Sequence, residues 1–248
     1  MALLTDEKKE MISTLRRDIL LREGFKTLSA STRPITGLKT LEAAFPNGIF
    51  PVGAIHEFLS FKPEQTAACG GFIAGLLSAL MKQGGICVWI SAIRKIFPPA
   101  LKVFGVAPDR IVFIDLQRQK DVLWATEEAL KCKGIAAVIA ELGELTFMQS
   151  RRLQLAVENS KVTGFILRSN QHKLCTTAST ARWQITPVSS ELAEDMPGVG
   201  FPRWQVDLLK VRNGKPGSWQ IEWSAGRFLL ISENTVTITL PGQIRKVG

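Results

Sequence analysis

The segment spanning residues 53–91 constrains the fold more than any other part of the chain. It divides into an apolar run, a polar loop, a long stretch rich in Ala, Leu and Gly, and a second apolar run, at residues 54–59, 60–66, 67–81 and 86–90. Gly84 and Gly85 separate the last two, where a helix would end because glycine tolerates positive φ. The pattern predicts a strand, a buried helix and a second strand, which together make the βαβ unit of a parallel sheet.

The loop at residues 60–66 occupies the position of a phosphate-binding loop but lacks its chemistry. The working motif, GxxxxGK[ST], uses glycines so that backbone N–H groups cradle phosphates, a Lys to reach the outer phosphates and a hydroxyl to bind Mg²⁺. This loop has no glycine, Pro63 lacks an N–H group, and Glu64 would place a negative charge among the phosphates. We interpret it as a vestigial phosphate loop, composed of Ser60, Phe61, Lys62, Pro63, Glu64, Gln65 and Thr66.

Two carboxylates that ATP hydrolysis on such a fold requires are also missing from their places. One should end the fourth strand to hold Mg²⁺, and the other should follow the second strand to orient the attacking water. The predicted fourth strand, residues 135–140, is followed by Glu141, which is displaced from the required position. After the second strand no acidic residue occurs before Asp109. We therefore expect no catalysis, no catalytic residues and no bound cofactor.

The rest of the core repeats the alternation of strands and helices. Further helices are predicted at residues 36–45, 100–105, 122–133 and 146–159, and further strands at residues 111–115, 135–140 and 164–167. Short segments of alternating polarity then follow one another at residues 182–187, 204–212, 218–224 and 227–232, with a hairpin turn at residues 213–217. The predicted fold class is α/β, with a mostly parallel twisted sheet flanked by helices and antiparallel strands at its C-terminal edge.

The N-terminal region is predicted to form an amphipathic helix at residues 5–25, with Met11, Leu15 and Ile19 on its apolar face. This helix either packs back onto the core or docks on a neighbouring protein, and the sequence leaves both alternatives open. We divide the chain into the helix with a polar linker, one core domain, and a basic tail or edge strand, at residues 1–30, 31–232 and 233–248.

The charge balance favours an anionic partner. Lys and Arg number 31 against 22 Asp and Glu, which gives a net charge of +9. Residues 159–190 contain no acidic residue, and the part that follows the fifth strand carries a cluster of hydrogen-bond donors. The alternatives for this stretch are a solvated surface loop and a DNA contact, for which the candidate residues are Arg168, Asn170, Gln171, Lys173 and Arg182.

The four cysteines have no CxxC spacing, so we expect reduced core residues and neither a disulfide framework nor a zinc site. Of the two histidines, His56 lies in the first predicted strand, where we expect a hydrogen-bonded structural role and no metal ligation. No stretch is long and apolar enough to span a bilayer, and the N-terminus does not resemble a signal peptide. We expect a cytoplasmic protein without a membrane partner.

Four of the six tryptophans fall in the closing strands beside arginines: Trp183, Trp204, Trp219 and Trp223. Aromatic rings among basic residues can stack on unpaired nucleobases. Tryptophan in a closing strand more often covers a core or lies in a protein interface, and we favour that interpretation.

Several of these segments together resemble a known family. The segments PNGIFPVGAIHEFLS (residues 46–60) and GGICVWIS (residues 84–91) resemble the RecA core on either side of its phosphate loop. The segments ILRSN, STARWQITPVSS and WQVDLLKVRNGKPGSWQIEW (residues 166–170, 179–190 and 204–223) resemble the closing strands of the ImuA branch of RecA-like proteins. The resemblance covers residues 35–232.

This resemblance implies a RecA-like core and a non-catalytic accessory role in SOS mutagenesis and translesion DNA synthesis. The implied partners are an ImuB-like inactive relative of the lesion-bypass polymerases, RecA and single-stranded DNA. The N-terminal helix, through Met11, Leu15 and Ile19, would then be a docking element for a partner. The alternative is a cell-division inhibitor of the SulA kind, which also resembles a RecA core without a phosphate loop and caps a tubulin-like filament.

Overall fold

One sheet organises the part of the chain that the computed structural model describes, which comprises residues 6–22, 35–169, 175–191 and 200–233. Its strands are β1 (Ile55–Ser60), β2 (Ile86–Ser91), β3 (Ile111–Asp115), β4 (Ile135–Leu142), β5 (Thr163–Ser169), β6 (Ala181–Val188), β7 (Arg203–Val211), β8 (Gly217–Ser224) and β9 (Arg227–Glu233). Their order across the sheet is β3-β2-β4-β5-β1-β6-β7-β8-β9.

The sheet changes from parallel to antiparallel at β6. Strands β1 to β6 pair in parallel, whereas β6 to β9 form an antiparallel series. Parallel neighbours need a crossover connection, while antiparallel neighbours can be joined by a tight turn. The predicted fold class is confirmed, including the position of the antiparallel strands at the C-terminal edge.

Helices cover both faces of the parallel strands. The described α-helices are α1 (Asp6–Arg22), α2 (Lys39–Glu42), α3 (Pro63–Leu80), α4 (Gln119–Lys131) and α5 (Phe147–Ser160), and a 3-10 helix, Pro98–Phe104, forms where a helix was predicted at residues 100–105. Apolar residues of α3 pack with Cys87 and Trp89 of β2 on one face, which we call the α3 face. Residues of α4 and α5 pack with Val88 and Ile90 on the opposite face. Alternate residues of one strand therefore enter two different cores, which explains why both sides of β1 and β2 are apolar.

Most predicted elements are present, with boundaries moved by a few residues. Gly84 and Gly85 follow the helical region with φ of 103° and 87°, as predicted. The helix expected at residues 36–45 is only the single turn α2. The sequence prediction began α3 at residue 67, which is wrong, because Pro63 is the first residue of the helix. A proline at that position is compatible with a helix, since its missing N–H would be unpaired in any case.

Aromatic rings dominate the core on the α3 face. Trp183, Trp204, Trp219 and Trp223 are all buried, which confirms the packing interpretation over base stacking. His56 is fully buried among them, and its ring stacks on Phe50 at a centroid distance of 4.5 Å. Its Nε2–H donates to the Pro51 carbonyl at 2.7 Å, while its Nδ1 accepts from Trp183 Nε1–H at 3.3 Å. The structural role predicted for His56 is confirmed, because both ring nitrogens are hydrogen-bonded.

The cysteine prediction is correct for only half of the residues. Cys69 and Cys87 are buried, and burial raises the pKa of each thiol to about 12. Cys132 and Cys175 are exposed, which the sequence interpretation did not anticipate. Cys132 lies directly after the last turn of α4, which ends at Lys131.

No helix in the described ranges is long and apolar enough to cross a membrane. The linker and the tail of the predicted domain division lie outside the described residues, apart from the first tail residue, Glu233, which ends β9.

Candidate functional site

The connection between β1 and α3 is where the sequence places the vestigial phosphate loop. Only Phe61 and Lys62 lie between the two elements, because β1 ends at Ser60 and α3 begins at Pro63. Four of the seven residues assigned to the loop, residues 63–66, form the first turn of the helix. The connection is therefore a two-residue turn and not an open loop.

Side chains of the same region close this turn. The Phe61 N–H donates to Gln65 Oε1 at 2.8 Å, and Gln65 Nε2 donates to Thr186 Oγ1 at 3.2 Å. The hydroxyls of Ser60 and Thr66 are hydrogen-bonded to each other at 2.9 Å. Backbone N–H groups must point at the ligand in a phosphate cradle. Here the Phe61 donor is already used within the protein.

A large apolar cleft adjoins this turn at the carboxyl ends of the parallel strands. Its volume is about 1100 Å³. Five aromatic rings contribute to its walls: Trp89, Phe97, Phe104, Phe201 and Trp204. The ends of parallel strands are a common place for ligand sites in α/β sheets. The cleft lies on the α3 face, because α3 itself forms one wall.

Glu141, the carboxylate that the sequence found after the fourth strand, lines this cleft within β4. Its Oε1 accepts a hydrogen bond from Trp89 Nε1–H at 2.9 Å. Burial raises the pKa of Glu141, helped by the negative charge of Asp115 and opposed by the Trp89 hydrogen bond and by Lys95. Asp115 itself is paired with Arg94 at 2.6 Å. Within the described ranges, no three His, Cys, Asp or Glu side chains are grouped closely enough to hold a metal ion.

A second group of charged residues lies on the opposite face of the sheet, around Glu57 of β1. Glu57 has no exposed surface, and its carboxylate pairs with Arg168 through Oε1 and with Arg182 through Oε2, the latter at 2.9 Å. Thr177 Oγ1–H also donates to Glu57 Oε2, at 2.7 Å. We call Glu57, Arg168, Arg182 and Thr177 the Glu57 cluster.

The Glu57 cluster contains two of the residues predicted to contact DNA. The side chain of Arg168 is 1% exposed and that of Arg182 is 12% exposed. Arg168 therefore has no surface to offer to a phosphate, because its guanidinium is directed at Glu57 inside the protein. Asn170, Gln171 and Lys173, the remaining predicted contacts, lie outside the described residues.

The electrostatics of the Glu57 cluster favour the ionised carboxylate. Burial alone would raise the pKa of Glu57, but the charge of Arg182 and the bonds from Arg168 and Thr177 outweigh it and lower the pKa. The cluster also binds the backbone of the segment that precedes β6, because Arg182 Nη2 donates a hydrogen bond to the Cys175 carbonyl at 2.8 Å. Sequence reasoning missed Glu57 as the partner, although an acid within the apolar strand IHEFLS was the available signal.

The residues predicted to dock a partner lie on one side of α1. Met11, Leu15 and Ile19 are 65%, 55% and 54% exposed. They are spaced four residues apart and so follow one face of the helix. An exposed apolar stripe of this kind is more typical of an interaction surface than of a solvated helix.

Comparison with known proteins identifies relatives for most of the chain. No protein-family model matches it. Two curated relatives, each called Protein ImuA and each from a strain of Caulobacter vibrioides, are 31% identical to it over 212 residues. The alignment covers 79% of this chain and 87% of each relative.

Proposed function

The chain belongs to the ImuA family, and we propose on this basis that it is a non-catalytic accessory factor in damage-induced mutagenesis. We propose further that it acts in SOS-dependent translesion DNA synthesis, in the cytoplasm, through contacts with an ImuB-like inactive polymerase relative and with RecA. Weak binding of single-stranded DNA is a secondary part of the same proposal. The proposed core is RecA-like with a degenerate phosphate loop.

The closed turn between β1 and α3 is the observation that supports a role without catalysis. Gln65 Oε1 accepts the hydrogen bond of the Phe61 N–H group, which is therefore not free for a phosphate. Glu64 lies in the first turn of α3 and places a negative charge at the helix N-terminus, which would otherwise attract an anion. The carboxylate of Glu141 accepts a hydrogen bond from the indole N–H of Trp89 within the apolar cleft beside α3. These residues offer a nucleotide no cradle for its phosphates, so the family role would be carried by protein contacts.

We expect that millimolar ATP with Mg²⁺ leaves the thermal unfolding midpoint unchanged. A ligand present at a hundredfold excess over its Kd would add about 2.7 kcal/mol to the free energy of unfolding. The measurement is a thermal melt with and without nucleotide, with Lys62→Ala as the matched variant. An upward shift in the native chain that disappears in Lys62→Ala would contradict the proposal, because it would place ATP at the β1–α3 turn.

We expect the apolar face of α1 to bind the partner. Leu15→Asp should weaken capture of the ImuB-like protein or of RecA roughly tenfold or more, since a charge replaces an apolar contact at an interface. Leu15 is 55% exposed, so the substitution should not disturb folding. The measurement is a pull-down of the full chain, of a chain lacking residues 1–30, and of each substituted chain.

Ser13→Asp is the matched control for this experiment. It introduces the same charge at an exposed position of α1 that lies away from the apolar face. Equal loss of capture in both variants would indicate a general charge effect and not a docking face. If the full chain captures neither partner, the proposed protein contacts are wrong.

A further inference from the structure

The pairing of β6 with β7 brings two positive charges side by side. Arg182 of β6 stands directly opposite Lys210 of β7. Directly opposed residues of an antiparallel pair have Cβ atoms about 5 Å apart, and like charges at that distance destabilise the sheet. Arg212 follows two positions after Lys210. We call Lys210 and Arg212 the β7 cation pair.

The β7 cation pair has no acidic partner within the described part of the chain. The Glu57 carboxylate is shared between Arg168 and Arg182. Lys210 Nζ donates to the backbone carbonyl of Thr177 at 2.9 Å, which supplies no negative charge. Burial lowers the pKa of Lys210 and the charge of Arg182 lowers it further, while Glu57 raises it and Arg212 has the smallest, lowering effect. The native fold therefore keeps an excess of positive charge at this place.

We propose that the β7 cation pair binds the phosphate groups of a single-stranded nucleic acid. Arg212 begins the turn directly after β7, and its backbone N–H donates to the Thr180 carbonyl at 2.8 Å, so both cations lie beside the start of β6 and can contact neighbouring phosphates of a linear polyanion. The Arg212 side chain is exposed and Lys210 is partly exposed. This site rests on the nucleic-acid part of the proposed function and replaces the buried Arg168 as the contact.

The neighbouring surface favours nucleic acid over an acidic protein. The residues of β6, β7 and β8 that share this face include Gln184, Gln205 and Gln220, each partly exposed, and its two acids, Asp207 and Glu222, are bonded to Ser218 and Arg203. The core of a protein interface is enriched in apolar and aromatic anchors, and these three glutamines supply none. Phosphate and sugar groups, by contrast, are contacted mainly by basic and polar side chains. Binding should therefore be insensitive to base sequence.

The test uses the full chain and a labelled oligodeoxythymidine of about 20 nucleotides, with affinity measured against salt concentration. For two phosphate contacts on single strands, the slope of log K against log[salt] should fall in magnitude by about 1.4 in Lys210→Gln/Arg212→Gln. The same relation gives a loss of roughly 25-fold at 0.1 M salt. Lys102→Gln/Lys120→Gln removes two exposed lysines elsewhere and is the matched control, which should retain affinity.

A charge reversal separates binding from folding. Lys210→Glu would place an acid opposite Arg182, so the thermal midpoint should stay the same or rise while affinity for the oligonucleotide falls. Unchanged affinity in this variant or in the double variant overturns the site. The site is also overturned if inorganic phosphate or poly-glutamate, at matched charge, competes as well as the unlabelled oligonucleotide does. The site would then bind free phosphate or an acidic peptide. A chain that captures its protein partners but binds no oligonucleotide would overturn this inference alone.

Discussion

Glu57→Gln is expected to reduce the free energy of unfolding by about 3–5 kcal/mol, the cost of removing one partner from a buried ion pair. The substitution keeps the shape of the side chain but removes its charge. Arg168 and Arg182 would then remain inside the protein without their shared carboxylate, and Arg168 has only 1% of its side chain exposed through which to reach water. Burying an unpaired charge is far more costly than losing a surface pair.

Urea denaturation monitored by tryptophan fluorescence would measure this loss. Glu128→Gln is the matched control, since Glu128 pairs with Lys131 at the exposed surface of α4 and should matter little. Replacing all three charges with apolar residues, as Glu57→Leu/Arg168→Met/Arg182→Met, should recover much of the lost stability, because no unpaired charge then remains. A Glu57→Gln chain as stable as the native one would show that the Glu57 cluster does not hold the sheet together.

The second large effect is an acid sensitivity centred on His56. Burial lowers the pKa of His56 from 6.5 to about 4, although the hydrogen bond to Pro51 acts in the opposite direction. The unfolded chain therefore binds a proton at a higher pH than the folded chain does. Stability should fall as the pH decreases from about 6.5 to about 4, by a total of about 3 kcal/mol. Glu57, whose pKa is lowered from 4.5, adds its own loss as the pH falls from that ordinary value toward the lowered value of the folded chain.

The pH dependence of unfolding in the native chain and in His56→Gln measures this effect. Glutamine can donate and accept hydrogen bonds but does not titrate, so the slope between pH 6.5 and pH 4 should flatten even if the variant is less stable overall. A slope that is the same in His56→Gln as in the native chain would mean that other groups cause the acid sensitivity.

The periodic elements could be predicted from the sequence because their signals are local. Apolar runs bounded by glycine gave β2, β4 and the end of α3, and Gly84 and Gly85 have the predicted positive φ. The start of α3 was missed because proline was taken as a residue of the loop. Proline suits the first turn of a helix as well as a loop, and sequence alone does not distinguish the two.

The candidate sites were less predictable because they depend on contacts between distant segments. Arg168 and Arg182 belong to an acid-free stretch, which made them resemble surface cations, while their partner Glu57 lies more than a hundred residues earlier. The opposition of Arg182 to Lys210 follows from the register of β6 and β7, which includes an irregularity next to Arg182. The pairing register of two strands depends on side-chain packing, turn geometry and bulges, so residue spacing in the sequence does not predict which side chains stand opposite each other.

The most direct test of the central claim is the frequency of mutations induced by DNA damage in the host of this gene. Deletion of the gene should lower that frequency, and complementation should restore it with the native chain and equally with Lys62→Ala, since no nucleotide chemistry is required. An unchanged mutation frequency in the deletion strain would contradict the accessory role, and a division defect on overexpression would then favour a cell-division inhibitor. If the native chain complements the deletion but Lys62→Ala does not, the non-catalytic assignment is contradicted.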